Sequence, residues 1–443
     1  MLDKKLKSAE EMPGDFGWPL LGKIVQLFDT EELFYWRHQK RYGSVFKTGI
    51  LGKKYAFLIG PEANRIVLKD RADCFSSRLG WWFLEPIFGN GLLMQDGEQH
   101  QANRRLMYPA FHGRAIASYF NIINDEVQKY LQDWSDRSPI PVAADFRKLT
   151  LIVASRLFLG TQTSEEVEKT CKWFTQLVAG KLAILRWDHP VTLYGRSQKA
   201  RRFLIEYLRQ TIYNRRQSIE RQDVLSLLIN AVDEKGNSLS EEQIIEETLL
   251  LLVAGHETTA TVLSWLLFEL ASHPEWIAKL REELDTVVGN APLGVEHLKQ
   301  LTQMTNVLKE AERLYPPLYG IPRGVVKDIE YAGYHIPAGW VVVVSPMLTH
   351  RFPEIYSEPN RFDPDRFAPP REEDKHPFAL VGFGHGSHSC LGFEFAQMEM
   401  KIILATLLRQ YDWTITPTYA EIAPVLQPSK ILEKLRSHCL PRV

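Results

Sequence analysis

The stretch from about residue 240 to 272 narrows the possible folds more than any other. Ser240 is a helix N-cap, with Gln243 three residues on to complete a capping box, and His273-Pro274 stops the helix. At 1.5 Å per residue the helix reaches ~45–50 Å, enough to cross a whole domain. Leu249-Leu250-Leu251-Leu252-Val253 and Trp265-Leu266-Leu267 make its central portion apolar nearly all round, which marks a buried helix. A helix of that length fits a bilayer or the middle of a large helical domain. His256, Glu257 and Glu269 favour the second, because an acid near the centre of a spanning helix costs ~2.5–3.5 kcal/mol.

The remainder agrees with one large domain over 1–443. The 443 residues are 45% hydrophobic and 24% charged, and no repeat or linker divides them. A net charge of -1 gives no bulk attraction to nucleic acid or to an acidic surface. Met1 to Met12 is charged, without the apolar core of a signal peptide or anchor, so no transmembrane segment is expected. Pro13 to Gly22 reads as an extended lead-in and Lys54 to Ile59 as a strand. Helical periodicity dominates 62–315, as in Ile122–Trp134, Val142–Leu159, Ala200–Glu220 and Val224–Val232. Val325–Ile336 and Trp340–Ser345 are expected to pair around Pro337-Ala338-Gly339, and a last helix to run over about 392–410. The expected fold is mainly α, with a small β-sheet subdomain.

Four cysteines, Cys74, Cys171, Cys390 and Cys439, lie too far apart for a disulfide framework or a zinc pair, and point to a reducing, cytoplasmic setting. Cys390 stands out, in Phe383-Gly384-His385-Gly386-Ser387-His388-Ser389-Cys390-Leu391-Gly392. It sits just before a helix, whose N-terminus favours a thiolate, and glycines let the backbone approach a large flat group. A lone cysteine here would otherwise be a buried structural thiol. The segment resembles the haem-binding loop of the cytochrome P450 family, Phe-x-x-Gly-x-Arg/His-x-Cys-x-Gly. The resemblance implies haem b with Cys390 as the axial iron ligand, Phe383 near the sulfur, and backbone N–H groups after Cys390, toward Gly392, tuning it. A thiolate ligand pushes electron density in the sense that favours O–O cleavage.

Four other segments match the family in order and spacing. Ala254-Gly255-His256-Glu257-Thr258-Thr259 resembles its oxygen-binding segment. There Ala254 lies against the cofactor, Gly255 leaves a groove, and Glu257 and Thr258 are the acid and alcohol that relay protons. The bland alternative is a back-bonded Thr258 and a Glu257 paired with a surface cation; His256 has no assigned role. Glu310-Ala311-Glu312-Arg313 resembles the Glu-x-x-Arg motif, and Phe362-Asp363-Pro364-Asp365-Arg366-Phe367 its partner. Glu310, Arg313 and Arg366 are thereby expected to form a structural triad. His100 and Arg104, four apart on a helix, together with Arg323 and His388, are the implied donors to the two haem propionates.

Substrate contacts are expected from apolar, variable segments. Trp81, Trp82 and Phe83 precede the His100 helix, Phe174 and Leu182 would roof the pocket, and Leu318, Gly320 and Val425 complete it. Arg313 to Pro317 and Gly333 to Trp340 look most like the sterol-demethylating and retinoic-acid-hydroxylating branches, above all the cyanobacterial retinoic-acid hydroxylase type. The expected reaction is hydroxylation of a long apolar substrate, a retinoid or related isoprenoid acid, with a fatty acid or sterol as alternatives. A peroxide-using haem-thiolate enzyme and a non-catalytic sensor or lipid carrier are the competing classes. Electrons would come from separate proteins of ferredoxin/ferredoxin reductase or flavodoxin type, with Arg104 and Arg105 as candidate docking charges. The protein is expected to be a cytoplasmic monomer without nucleic-acid partners, with peripheral contact to membranes where its lipophilic substrate resides.

Overall fold

The capping signals act where the sequence puts them. The helix Glu241–Ser272 runs for 32 residues, with Ser240 accepting from the Gln243 N–H and Gln243 accepting from the Ser240 N–H. Pro274 opens the next helix at a position whose N–H would have no partner. The structure is a computed structural model describing residues 6–29, 31–183, 185–217, 223–418, 421 and 431–442. In chain order its longer helices are α1 Glu31–Tyr42, α2 Gly97–Met107, α3 Arg114–Leu131, α4 Val142–Ala154, α5 Ser164–Ala179, α6 Leu193–Arg216, α7 Glu241–Ser272, α8 Pro274–Val287, α9 Thr302–Leu314 and α10 Phe393–Gln410.

Among the described residues α7 is long and apolar enough to cross a membrane, but its apolar surface is used inside the protein. Leu249, Leu252, Leu263, Leu266 and Leu267 are all at most 2% exposed. Burying one such side chain stabilises by ~1.5–3 kcal/mol. Neighbours also satisfy the polar groups of α7. Thr150 of α4 donates to the His256 carbonyl at 3.1 Å, and Trp413 Nε1 donates to the Leu267 carbonyl at 3.2 Å.

The main sheet contains β1 Gly14–Asp15, β2 Val45–Ile50, β3 Lys53–Leu58, β4 Phe75–Ser76, β5 Ile321–Val325 and, after a hairpin of β6 Ile329–Tyr331 and β7 Tyr334–Ile336, β8 Val341–Val344. Its order is β1-β2-β3-β8-β5-β4. All four valines of β8 are buried, as befits an interior strand with a parallel neighbour, β3, and an antiparallel one, β5. The expected pairing around Pro337-Ala338-Gly339 is corrected here. The chain changes sheets at that point: β7 pairs with β6 and Lys7–Ser8, while β8 pairs back with β5. Pro337 has no N–H to give, and Gly339, at φ +92°, turns the chain where a side chain would be strained. The late strands therefore begin at Ile321, which puts Arg323 on a buried strand opposite Val342.

The link between α9 and the cysteine loop is ionic. Glu310, Arg313 and Arg366 have fully buried side chains. Arg313 meets Glu310 with two bonds, Nε to Oε2 at 2.7 Å and an Nη to Oε1 at 2.8 Å. Arg366 Nε reaches Glu310 Oε1 at 3.0 Å, and the Asp363 N–H reaches the same oxygen at 2.9 Å. The other guanidinium donors go to the carbonyls of Ser357, Pro359, Arg361 and His350, and one Arg366 Nη also to the Glu373 carboxylate at 2.6 Å. His350 extends the network, donating from Nδ1 to the Arg313 carbonyl at 3.2 Å and accepting the Val381 N–H on Nε2 at 2.9 Å. Burial and the neighbouring Arg313 push its pKa down to about 3, so this neutral tautomer persists. Arg366→Ala leaves the Glu310 charge short of a partner, and we expect a loss of ~3–5 kcal/mol in folding stability, read as a lower urea midpoint.

Candidate active site

Cys390 and Ala254 both carry exposed surface although they lie on elements packed into the interior. Around the sulfur the protein is dense enough that burial pushes the thiol pKa up. Accessible surface on such residues marks an interior cleft. At Gly392 an added Cβ would meet no protein atom within 4 Å, so the backbone after the cysteine faces open space. The Gly392 N–H hydrogen-bonds the sulfur and, with the Arg104 charge, favours the thiolate.

The loop itself is held by backbone geometry. The Cys390 N–H donates to the Phe383 carbonyl at 2.8 Å, closing the loop on itself. Gly386, at φ +71°, leaves no space for a side chain: its Cβ would fall 2.1 Å from the Leu68 carbonyl. The Phe383 ring stands edge-on to Phe393, with centroids 4.8 Å apart.

On one side of the cleft, positive and imidazole groups from three parts of the chain converge. The rings of His100 and His388 stack at 3.8 Å. Arg104 reaches Ser389 Oγ at 3.2 Å, and Arg323 from β5 donates to the Pro322 carbonyl at 2.9 Å. Burial, then Arg104, depresses His100 to about 4; burial, then Arg323, depresses His388 to about 2. Burial also lowers Arg323 to about 10. One buried and one half-buried guanidinium, beside two neutral imidazoles whose protonation the arginines suppress, form a site that an anion with several oxygens would stabilise.

On α7 the Thr258 hydroxyl donates to the Ala254 carbonyl at 2.6 Å. Glu257 is ion-paired with Lys181, 76 residues earlier, in the short turn Gly180–Leu182. Burial pushes the Glu257 carboxyl up, but the Lys181 charge and hydrogen bond more than offset this and hold it below the usual carboxylate range. The expected groove at Gly255 is corrected: a Cβ there would lie 2.9 Å from the Phe158 ring, so that side of the helix is filled by packing. His256 now has a place, with Nδ1 donating to the Leu252 carbonyl at 2.8 Å and its ring edge-on to Phe174 at 5.1 Å.

The expected pocket residues scatter. Phe174 is fully buried in the core, so it is corrected from pocket roof to packing residue. Gly320 is turned toward the sheet, where a Cβ would meet the Tyr35 hydroxyl at 2.3 Å and Val343 at 2.7 Å, so it too leaves the pocket wall. Leu182 and Leu318 are exposed at 57% and 41%. Trp81 is buried, and Trp82 and Phe83 are half-buried beside it. Val425 lies outside the described residues. Lys181 has no sequence-local signal, since only the fold brings it to Glu257.

Residues 12–434 match the Cytochrome P450 family. The chain belongs to the cytochrome P450 family. It is 35% identical over 417 residues to a putative cytochrome P450 120 of Synechocystis sp., covering 93% of each chain. It is 30% identical to the sterol 14alpha-demethylase of Mycolicibacterium vanbaalenii, covering 85% of each, and 30% identical to abscisic acid 8'-hydroxylase 2 of Arabidopsis thaliana, covering 91% of this chain and 84% of that one. The solved structure of retinoic acid-bound cyanobacterial CYP120A1 superimposes with a TM-score of 0.87 at 33% identity, covering 99% of this chain and 100% of that one.

Like its family, this P450 is a monooxygenase that uses thiolate-ligated haem b and receives electrons from separate proteins. Its residues fit that group. Cys390 would offer the sulfur, Gly392 the open backbone, and Arg104, Arg323, His100 and His388 would be the donors to two propionates. Truncating Arg323 to Ala removes a charged donor worth ~1.5–3 kcal/mol, so haem transfer to apomyoglobin is expected to accelerate correspondingly. In Cys390→Ala the reduced, CO-treated protein is expected to lack the red-shifted Soret band of a thiolate complex.

Proposed function

We propose that this P450 hydroxylates a long apolar acid, retinoic acid or a related isoprenoid acid. The observation that carries the reading is its likeness, over essentially the whole chain, to a solved relative with retinoic acid bound. Arg186 adds chemical support. It donates to the Phe83 carbonyl at 2.6 Å and lies 5.7 Å over the Trp82 ring, a cation beside two apolar residues expected to contact substrate. A carboxylate tail would find its partner there. The balance is substrate-H plus O₂, two electrons and two protons, giving alcohol and water.

Bound haem supplies the oxygen chemistry; the chain supplies the protons. Glu257 takes a proton at its carboxylate and passes it toward the Thr258 hydroxyl. Thr258 exchanges its bond to the Ala254 carbonyl for one into the cleft. Lys181 keeps the acid ionised and ready to reload from solvent. The working unit is the haem domain over 1–443 as a monomer, served by a ferredoxin or flavodoxin type donor that docks near the exposed Arg105. Trp18, Leu20 and Val25, and again Leu185, Trp187 and Val191, are each more than half exposed, which supports peripheral contact with a bilayer in the cytoplasm.

Retinoic acid is expected to shift the ferric spin equilibrium at lower concentration than a sterol or a saturated fatty acid. A sterol winning that comparison would move the assignment to the demethylase branch. Thr258→Ala is expected to lower product per electron pair by at least about tenfold, a part of the ~10²–10⁴ that a positioned proton donor contributes. Unchanged yield would remove Thr258 from the relay.

A further inference from the structure

Glu312 sits between the two residues of the buried triad on α9 and takes no part in it. Its side chain is 7% exposed, and its carboxyl accepts the backbone N–H groups of Gly382 and Phe383, the entry to the cysteine loop. The fit is close: a Cβ on Gly382 would fall 2.3 Å from Glu312 Oε1. Phe383 then carries the contact onward, since its carbonyl accepts the Cys390 N–H at 2.8 Å. One residue thus joins the carboxyl to the cysteine backbone, and negative charge on Glu312 disfavours negative charge on the Cys390 sulfur.

We propose that Glu312 is a positioning residue for the cysteine loop, whose charge, transmitted across Phe383, sets the electron richness of the Cys390 thiolate. The proposal rests on the haem-thiolate reading of Cys390. The carboxyl can exist in both charge states near neutrality. Burial pushes its pKa up to about 8, and the Lys309 charge and the two N–H groups lower it by less. The charged and titratable groups facing it leave that freedom intact. Lys309 on α9 is paired with Asp374 at 2.6 Å. Arg313 is held by Glu310, His350 is kept neutral, and the Tyr356 phenol is pushed far above neutrality by burial. Below about 8 the carboxyl is neutral. Above it, the added negative charge disfavours the electron that reduces the iron, so the potential falls.

The test is the ferric/ferrous midpoint potential of the holoenzyme against pH, for the wild type, Glu312→Gln and Glu312→Leu. The wild-type potential is expected to drop as pH rises through about 8, by roughly tenfold in the reduction equilibrium constant, about 59 mV for one electron. Glu312→Gln is expected to lack that step and to follow the low-pH limb throughout, while keeping the thiolate CO band. Glu312→Leu is expected to lack the step and also to shift the potential at low pH, because it leaves the Gly382 and Phe383 N–H groups unbonded. A Gln variant that retains the wild-type step, even with lower thermal stability, overturns the proposal. Should the wild type itself lack the thiolate CO band, the reading of Cys390 fails instead, a result distinct from a missing or unmoved step.

Discussion

The site depends on one carboxylate shared between two buried arginines. Removing these charges from water costs several kcal/mol each, so the arrangement survives only because Glu310 is bonded by both guanidiniums and the Asp363 N–H, and the guanidiniums also by surrounding carbonyls and the Glu373 carboxylate. That density of bonds is what makes it a constraint. Arg313 and Arg366 between them hold carbonyls from 350 to 361, a loop-rich stretch without secondary structure of its own to fix it. His350 hands the same rigidity to Val381, two residues before the cysteine loop begins at Phe383. A surface bridge of the same sequence spacing would be worth ~0–1 kcal/mol and would position nothing.

The cleft shows how electrostatics can specify a partner before it arrives. His100 and Arg104 come from α2, Arg323 from β5 and His388 from the cysteine loop. Close packing forces both imidazoles to stay neutral, which leaves two guanidinium charges against an anion expected to carry two. The proposed proton relay would use the opposite device. Lys181 and Glu257 are each about one-third exposed, so this pair is partly screened and able to open, as a relay that must reload from solvent requires.

Much of this was legible in the sequence, for stated reasons. The ends of α7 are set by a capping box and a His-Pro stop, both local. Cys390 and the triad residues fall in segments whose spacing is itself the signal. What escaped depends on tertiary approach. Strand pairing around Pro337-Ala338-Gly339 could not be read because the partner of β8 lies sixteen or more residues back, beyond an inserted hairpin. Gly255 looked like a groove, but Phe158 comes from a distant turn to fill it. Phe174 and Gly320 carry the composition of a pocket wall, and only burial and direction exclude them. Lys181 and Glu312 had no pattern at all, since an acid at an unconstrained motif position and a lysine in a loop are the commonest of surface residues.

The division of labour on α7 has a consequence for how such a protein could change its diet. Two neighbouring small residues look interchangeable in the sequence, but Gly255 is locked against Phe158 while Ala254 borders the cleft. A methyl group added at position 255 collides with the core. One added at 254 would narrow the cleft without meeting that core, and one removed would widen it at the ~0.5–1 kcal/mol that a glycine costs inside a helix. Selection, or an engineer, can therefore adjust ligand girth at 254 at a cost to the fold that 255 does not allow.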